Sequence, residues 1–142
     1  MGRGGAEDRP GHRVKQVQQL LRHAGDDTLR PLGLSMSQYA VLTALAELPG
    51  ASSAELARRC SITRQSLGDV LTPLRTAALV EVGPAGPGGR SRPVALTEAG
   101  RARLAEADEA MAAVEERMVA GMSALECHAL VTLLATCARN LA

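Results

Sequence analysis

The sequence contains no phenylalanine and no tryptophan, and Tyr39 is its one tyrosine. Proteins that hold single-stranded DNA or RNA stack bases on aromatic side chains, so this composition excludes a platform of that kind. Cysteine is scarce as well. Cys60, Cys127 and Cys137 are an odd three without CxxC spacing, which argues against a disulfide framework and a structural zinc centre. Lys15 is the only lysine, so positive charge rests on guanidinium, which forks onto phosphates and guanine better than a point charge does. No apolar run is long enough to span a membrane, and Met1 to Gly11 lacks the apolar core of a signal peptide. A cytoplasmic protein without a membrane partner is expected. The glycines and proline among the charges of residues 1–11 read as a disordered tail, and 12–142 suits a single domain.

Catalytic and metal chemistry find little support. Asp26-Asp27 and Glu115-Glu116 read as solvated faces without a histidine at a useful spacing, so no catalytic residue is assigned and no enzyme is expected. Cys127 and His128 are neighbours on a helical segment and face apart, and His12 and His23 do not complete a ligand set. No metal and no cofactor are expected.

What is present is concentrated between Ala51 and Gly100. Ser52 stands three residues ahead of Glu55, a capping-box spacing that opens a short helix with Leu56, Ala57 and Cys60 on its apolar side. Cys60-Ser61-Ile62 makes a turn, and Thr63 is placed to cap the next helix. There Leu67, Val70, Leu71, Leu74 and Ala78 recur at three- and four-residue steps, so one face packs inward. Arg64, Gln65 and Ser66 project from its free end. A guanidinium, an amide and a hydroxyl suit guanine, adenine and either base in a major groove. Leu79 to Val82 then reads as a strand, Pro84 to Gly89 as a tip that cannot extend it, and Arg90 to Leu96 as the return strand. Arg90 and Arg92 on that hairpin suit a phosphate backbone or a minor groove. Ser53, Ser61, Thr63 and Arg75 complete the candidate DNA-facing set. Two helices, a turn and a ribbon in this order make a winged helix-turn-helix: a mainly α fold with a small β-hairpin wing.

Charge is distributed to match. The net charge is only +1. Yet Arg58 to Arg103 holds eight arginines against Asp69, Glu81 and Glu98, whereas Leu104 onward holds Arg117 and Arg139 against six carboxylates. The basic middle should face DNA.

The terminal segments predict a homodimer. Val14, Val17, Leu21 and Ala24 follow helical spacing, and Leu104, Ala107, Met111, Val114 and Met118 form a narrow seam that wants a partner helix. Ser123 and Glu126 open a last helix carrying Leu130, Leu133, Leu134, Cys137 and Leu141. Helices this apolar in so short a chain suit packing against a second copy. Two reading helices about one DNA turn apart would then meet a pseudo-palindromic operator with half-sites roughly 10 bp apart.

The run from Leu34 to Leu42 resembles the second-helix motif of the MarR family of bacterial transcription regulators, and the runs SSAELARRCSITRQSLGDVL and RSRPVALTEAGRARL resemble its helix-turn-helix and wing. The resemblance covers Leu29 to about Arg103. It implies a homodimeric repressor with a DNA-binding lobe over about 34–97, dimerisation helices over about 12–30 and 98–142, and Arg90 as the wing arginine. It also implies a small-molecule effector pocket between lobe and dimerisation helices, here approached by Leu21, Met36, Tyr39 and Met111. A winged-helix protein-interaction module that no longer grips DNA is the alternative.

Four positions depart from the family pattern, among them Gly89, which replaces a position that is often basic and leaves Arg92 to supply the second cation at the wing. Gly88 stands where an aspartate usually braces the wing, so the wing should be more mobile. Ala78 replaces a glycine, which denies the helix end its easiest left-handed cap. Pro73 deletes a backbone donor in mid-helix at a cost of ~3 kcal/mol. It predicts a kink over Asp69 to Pro73, or a break with Thr72 as a new cap.

Overall fold

Helices α2 to α6 each begin where a hydroxyl meets an orphan amide. In the computed structural model, which describes residues 5–89 and 92–142, Ser35, Ser52, Thr63, Thr97 and Ser123 each accept a hydrogen bond from the backbone N–H three residues on. These caps set the starts of α2 (Met36–Glu47), α3 (Ser53–Arg59), α4 (Arg64–Thr76), α5 (Glu98–Met118) and α6 (Ala124–Leu141). The first helix, α1 (Pro10–Leu29), starts instead on a proline, whose missing N–H costs nothing there. A one-turn helix over Ala6–Asp8 precedes it, so ordered backbone begins inside the segment assigned by composition to a tail.

Between α4 and α5 lies an antiparallel hairpin of β1 (Val80–Val82) and β2 (Val94–Leu96), with Val80 opposite Leu96 and Val82 opposite Val94. Its base is tied to the α2–α3 loop, where the Val94 N–H donates to the Ala51 carbonyl at 3.2 Å. At its tip Gly88 takes φ 73, a left-handed conformation in which an aspartate would be strained.

The core is drawn from every part of the reading unit. Val41, Leu42, Leu56, Leu67, Leu74 and Val94 are fully buried, joined by Leu29 of α1. Leu104, Ala107, Met111 and Val114 of α5 are buried as well, and α5 packs chiefly on α1. The seam expected to want a second subunit is therefore filled by the chain's own α1 and α2. Only Met118 at its end stays open. α6 differs, since none of its residues is buried.

Helix α4 runs unbroken through Pro73, so the break capped by Thr72 does not occur. The Thr72 hydroxyl instead donates to the Gly68 carbonyl at 2.9 Å, and Thr76 does the same to Thr72 at 3.1 Å. The end of α4 also departs from expectation. Ala78 adopts φ 58 and the helix closes in a Schellman motif, with Ala78 N–H on the Arg75 carbonyl and Leu79 N–H on the Leu74 carbonyl, both at 2.9 Å. Burial of Leu74 and Leu79 holds that turn despite the absence of glycine.

Candidate nucleic-acid interface

The turn that joins α3 to α4 is built by two local devices. Ser61 sits at φ 55 just past α3, its N–H on the Arg58 carbonyl at 3.1 Å, while Ile62 N–H reaches the Ala57 carbonyl at 3.0 Å. Thr63 follows and caps α4, accepting from Ser66 N–H at 3.0 Å and donating to the Ser66 hydroxyl at 3.0 Å. The consequence is a short, fixed corner with the start of α4 exposed.

Helix α4 then presents distinct faces. Leu67, Leu71 and Leu74 point into the core. Arg64, Gly68, Thr72 and Arg75 border a cleft of about 330 Å³ shared with Ser53 of α3 and Arg92 near the wing. Ser66 and Val70 lie on the opposite flank. At 3.6 residues per turn this leaves Gln65, Asp69 and Thr76 as the outward ridge. So Arg64, Arg75, Arg92 and Ser53 are brought together, and Gln65 lies on the outward ridge. Ser61 and Thr63 shape the corner, and Ser66 is turned toward a different cavity. Arg90 lies outside the described residues.

The basic middle of the chain divides by role. Arg59 pairs with Glu47 of α2, and Arg103 donates to the Leu32 carbonyl, so these two guanidinium groups hold the fold. Arg64, Arg75 and Arg92 make no ion pair among the described residues. They remain available to phosphates.

The flank of Ser66 and Val70 opens on a cavity of about 430 Å³ walled by Leu21 and Arg22 of α1 and by Met36 and Ser37 of α2. Arg22 donates to the Ser37 hydroxyl at 3.0 Å and is otherwise free to meet an anion. Cys60 also lines this cavity, and burial pushes its thiol up, only partly opposed by the Arg59 charge. A thiol so placed stays protonated near neutrality.

Of the expected pocket residues, Leu21 and Met36 line the cavity, but Tyr39 and Met111 do not. Met111 is buried in the core, and the Tyr39 hydroxyl donates to the Asp108 side chain at 2.6 Å. Burial, then that hydrogen bond and the nearby negative charge, push the phenol up to about 12. Arg22 and Ser37, which were not among the expected residues, also line the cavity. Gln18, Leu21 and Arg22 share one helical face at i, i+3 and i+4, so the signal was present. Asp27, expected to lack a histidine at a useful spacing, has His23 one helical turn before it. The two stand 3.6 Å apart, but both are exposed on α1 and line none of the cavities described above.

Relatives share this plan. Residues 32–91 match the sequence pattern of the MarR family. The HTH-type transcriptional repressor Rv2887 of Mycobacterium tuberculosis is 38% identical over 122 residues, covering 85% of this chain and 88% of the relative. A crystal structure of Rv2887 with salicylic acid superposes with a TM-score of 0.75 at 35% identity, covering 92% of this chain and 98% of that one. The transcriptional repressor CouR, bound to a 23-mer DNA duplex, superposes with a TM-score of 0.85 at 28% identity, over 97% and 98% of the two chains. Among the described residues no helix is long and apolar enough to cross a membrane. With a winged helix-turn-helix whose α4 carries Arg64 and Arg75, unpaired among the described residues, and with repressors as its relatives, this chain belongs to the MarR family of DNA-binding transcription regulators.

Proposed function

We propose that the chain is a ligand-responsive repressor that binds a pseudo-palindromic operator as a homodimer. In this reading residues 34–97 form the DNA-binding lobe and the flanking helical segments, 12–30 and 98–142, carry the dimer contact. The exposed apolar side chains support a dimer. Leu125, Leu133 and Leu141 of α6 are 82%, 64% and 89% exposed, and apolar surface of this extent favours burial against a second copy.

The observation that carries ligand control is the shared wall of the cavity. One side is Arg22 and Ser37; the other is Ser66 and Val70 of α4 itself. A ligand with a carboxylate on Arg22 and an apolar ring against Met36 and Val70 would touch the reading helix directly. Salicylic acid, the ligand of the Rv2887 complex, has that chemistry. Binding would bias the spacing of the two α4 helices, so ligand and DNA compete through differential affinity for two arrangements.

The test is an anisotropy titration on duplex from the flank of the protein's own gene, with and without salicylate. Saturable binding that weakens with salicylate, and an Arg22→Ala protein that binds DNA but ignores salicylate, are expected. DNA affinity unchanged by bound salicylate would remove the control mechanism.

A further inference from the structure

The outward ridge of α4 carries a feature that DNA binding alone does not explain. Asp69 is exposed there, between arginine-bordered flanks, and has no ion-pair or side-chain hydrogen-bond partner among the described residues. Against a phosphate backbone an unpaired carboxylate is repelled, so at this position it weakens sequence-independent binding. One group in a major groove suits it well: the exocyclic amine of cytosine, a donor that a carboxylate accepts.

An aspartate is short, and reaching a base edge requires the helix to sit deep. The preceding residue permits that. Gly68 lies in mid-helix, where glycine is less stable than alanine, yet a Cβ added there would meet nothing within 4 Å. No contact inside the protein requires the missing methyl. Gly68 also borders the cleft between Arg64 and Arg75, on the side a duplex would approach. Close approach of a ligand is a use of glycine that this surroundings-free position fits.

We propose that Asp69 is a specificity-determining residue that accepts a hydrogen bond from a cytosine amine in each half-site, with Gly68 letting the groove come near enough for so short a side chain. This rests on α4 being the groove-reading helix.

The experiment selects operators from randomised duplexes with the full-length protein. It then measures affinity for all four base pairs at each half-site position for wild type, Asp69→Ala and Gly68→Ala, with thermal melting of each as a folding control. Wild type should prefer C·G at one position by about tenfold. Asp69→Ala should flatten that position alone and bind random duplex more tightly. Gly68→Ala should melt higher yet lose the same preference together with overall affinity. A wild type that selects a sequence and an Asp69→Ala protein with the same preference at every position would overturn the assignment while leaving DNA reading intact. Gly68→Ala with unaltered affinity and preference would overturn the close approach. A wild type that selects no sequence would remove the DNA-reading function and this inference with it.

Discussion

The Tyr39 hydroxyl of α2 donates to the Asp108 side chain of α5 at 2.6 Å, tying the reading lobe to the long helix across 69 residues of sequence. Tyr39 is the only tyrosine and the chain has no tryptophan, so its ionisation can be followed cleanly in the ultraviolet. The phenol is pushed up to about 12 from 10.0, first by burial and then by Asp108. Because the folded value lies above the unfolded one, the associated stability is complete below pH 10 and is lost as pH rises toward 12. Absorbance at 295 nm should therefore stay flat through pH 10 and rise near pH 12. Tyr39→Phe should lose the step and about 1 kcal/mol of stability. A wild-type midpoint near 10 would mean that the hydroxyl is free.

The corner between α4 and α5 contains two positions with opposite expectations. Ala78 holds φ 58 without being glycine, and Ala78→Gly should stabilise by roughly 0.5–1 kcal/mol, the left-handed strain being partly offset by unfolded-chain entropy. At Gly100 a Cβ would stand 2.0 Å from the Leu79 carbonyl oxygen. Gly100→Ala should destabilise by about 1–3 kcal/mol through overpacking. Urea unfolding of both variants checks the pair, and matching signs would contradict the geometry.

Salt dependence separates the arginines by role. Arg64, Arg75 and Arg92 make no ion pair among the described residues and border one cleft, and each alanine substitution should lower the slope of log affinity against log salt by about 1 per site. Arg59→Ala removes the partner of Glu47 and should leave the slope unchanged. An unchanged slope on losing Arg64 would place the duplex elsewhere.

Local signals were legible in the sequence and distant ones were not. Ser52, Thr63 and Ser123 cap the helices they were expected to cap, because a cap depends on residues three positions apart. The capping box of Ser35 and Gln38 has the same three-residue spacing and is as local a signal. The seam of α5 was visible as a seam, but periodicity cannot say which helix fills it, and the chain's own α1 does. Pro73 shows local preference overruled: buried Leu67, Leu71 and Leu74 span the proline on one face and hold α4 together. The Tyr39–Asp108 hydrogen bond is not legible in the sequence, because its partners lie 69 residues apart. Arg22 lines a cavity with Ser66 and Val70 because folding brings α1 opposite α4.

The exposed face of α6 yields the last prediction. Leu133 and Leu134 are 64% and 41% exposed, and Val14 and Val17 of α1 are exposed as well. A carboxylate placed there would have to be buried unpaired in any interface that covers the helix, which strongly disfavours association. Leu133→Glu should therefore sediment as a monomer where wild type sediments as a dimer. Far-ultraviolet dichroism should be largely kept, since Leu133 contributes nothing to the buried core. DNA binding should fall steeply, because a monomer engages one half-site and loses the effective concentration that links two. A Leu133→Glu protein that stays dimeric would move the interface off α6, and a dimer that binds DNA as before would show that this face is free in the working assembly.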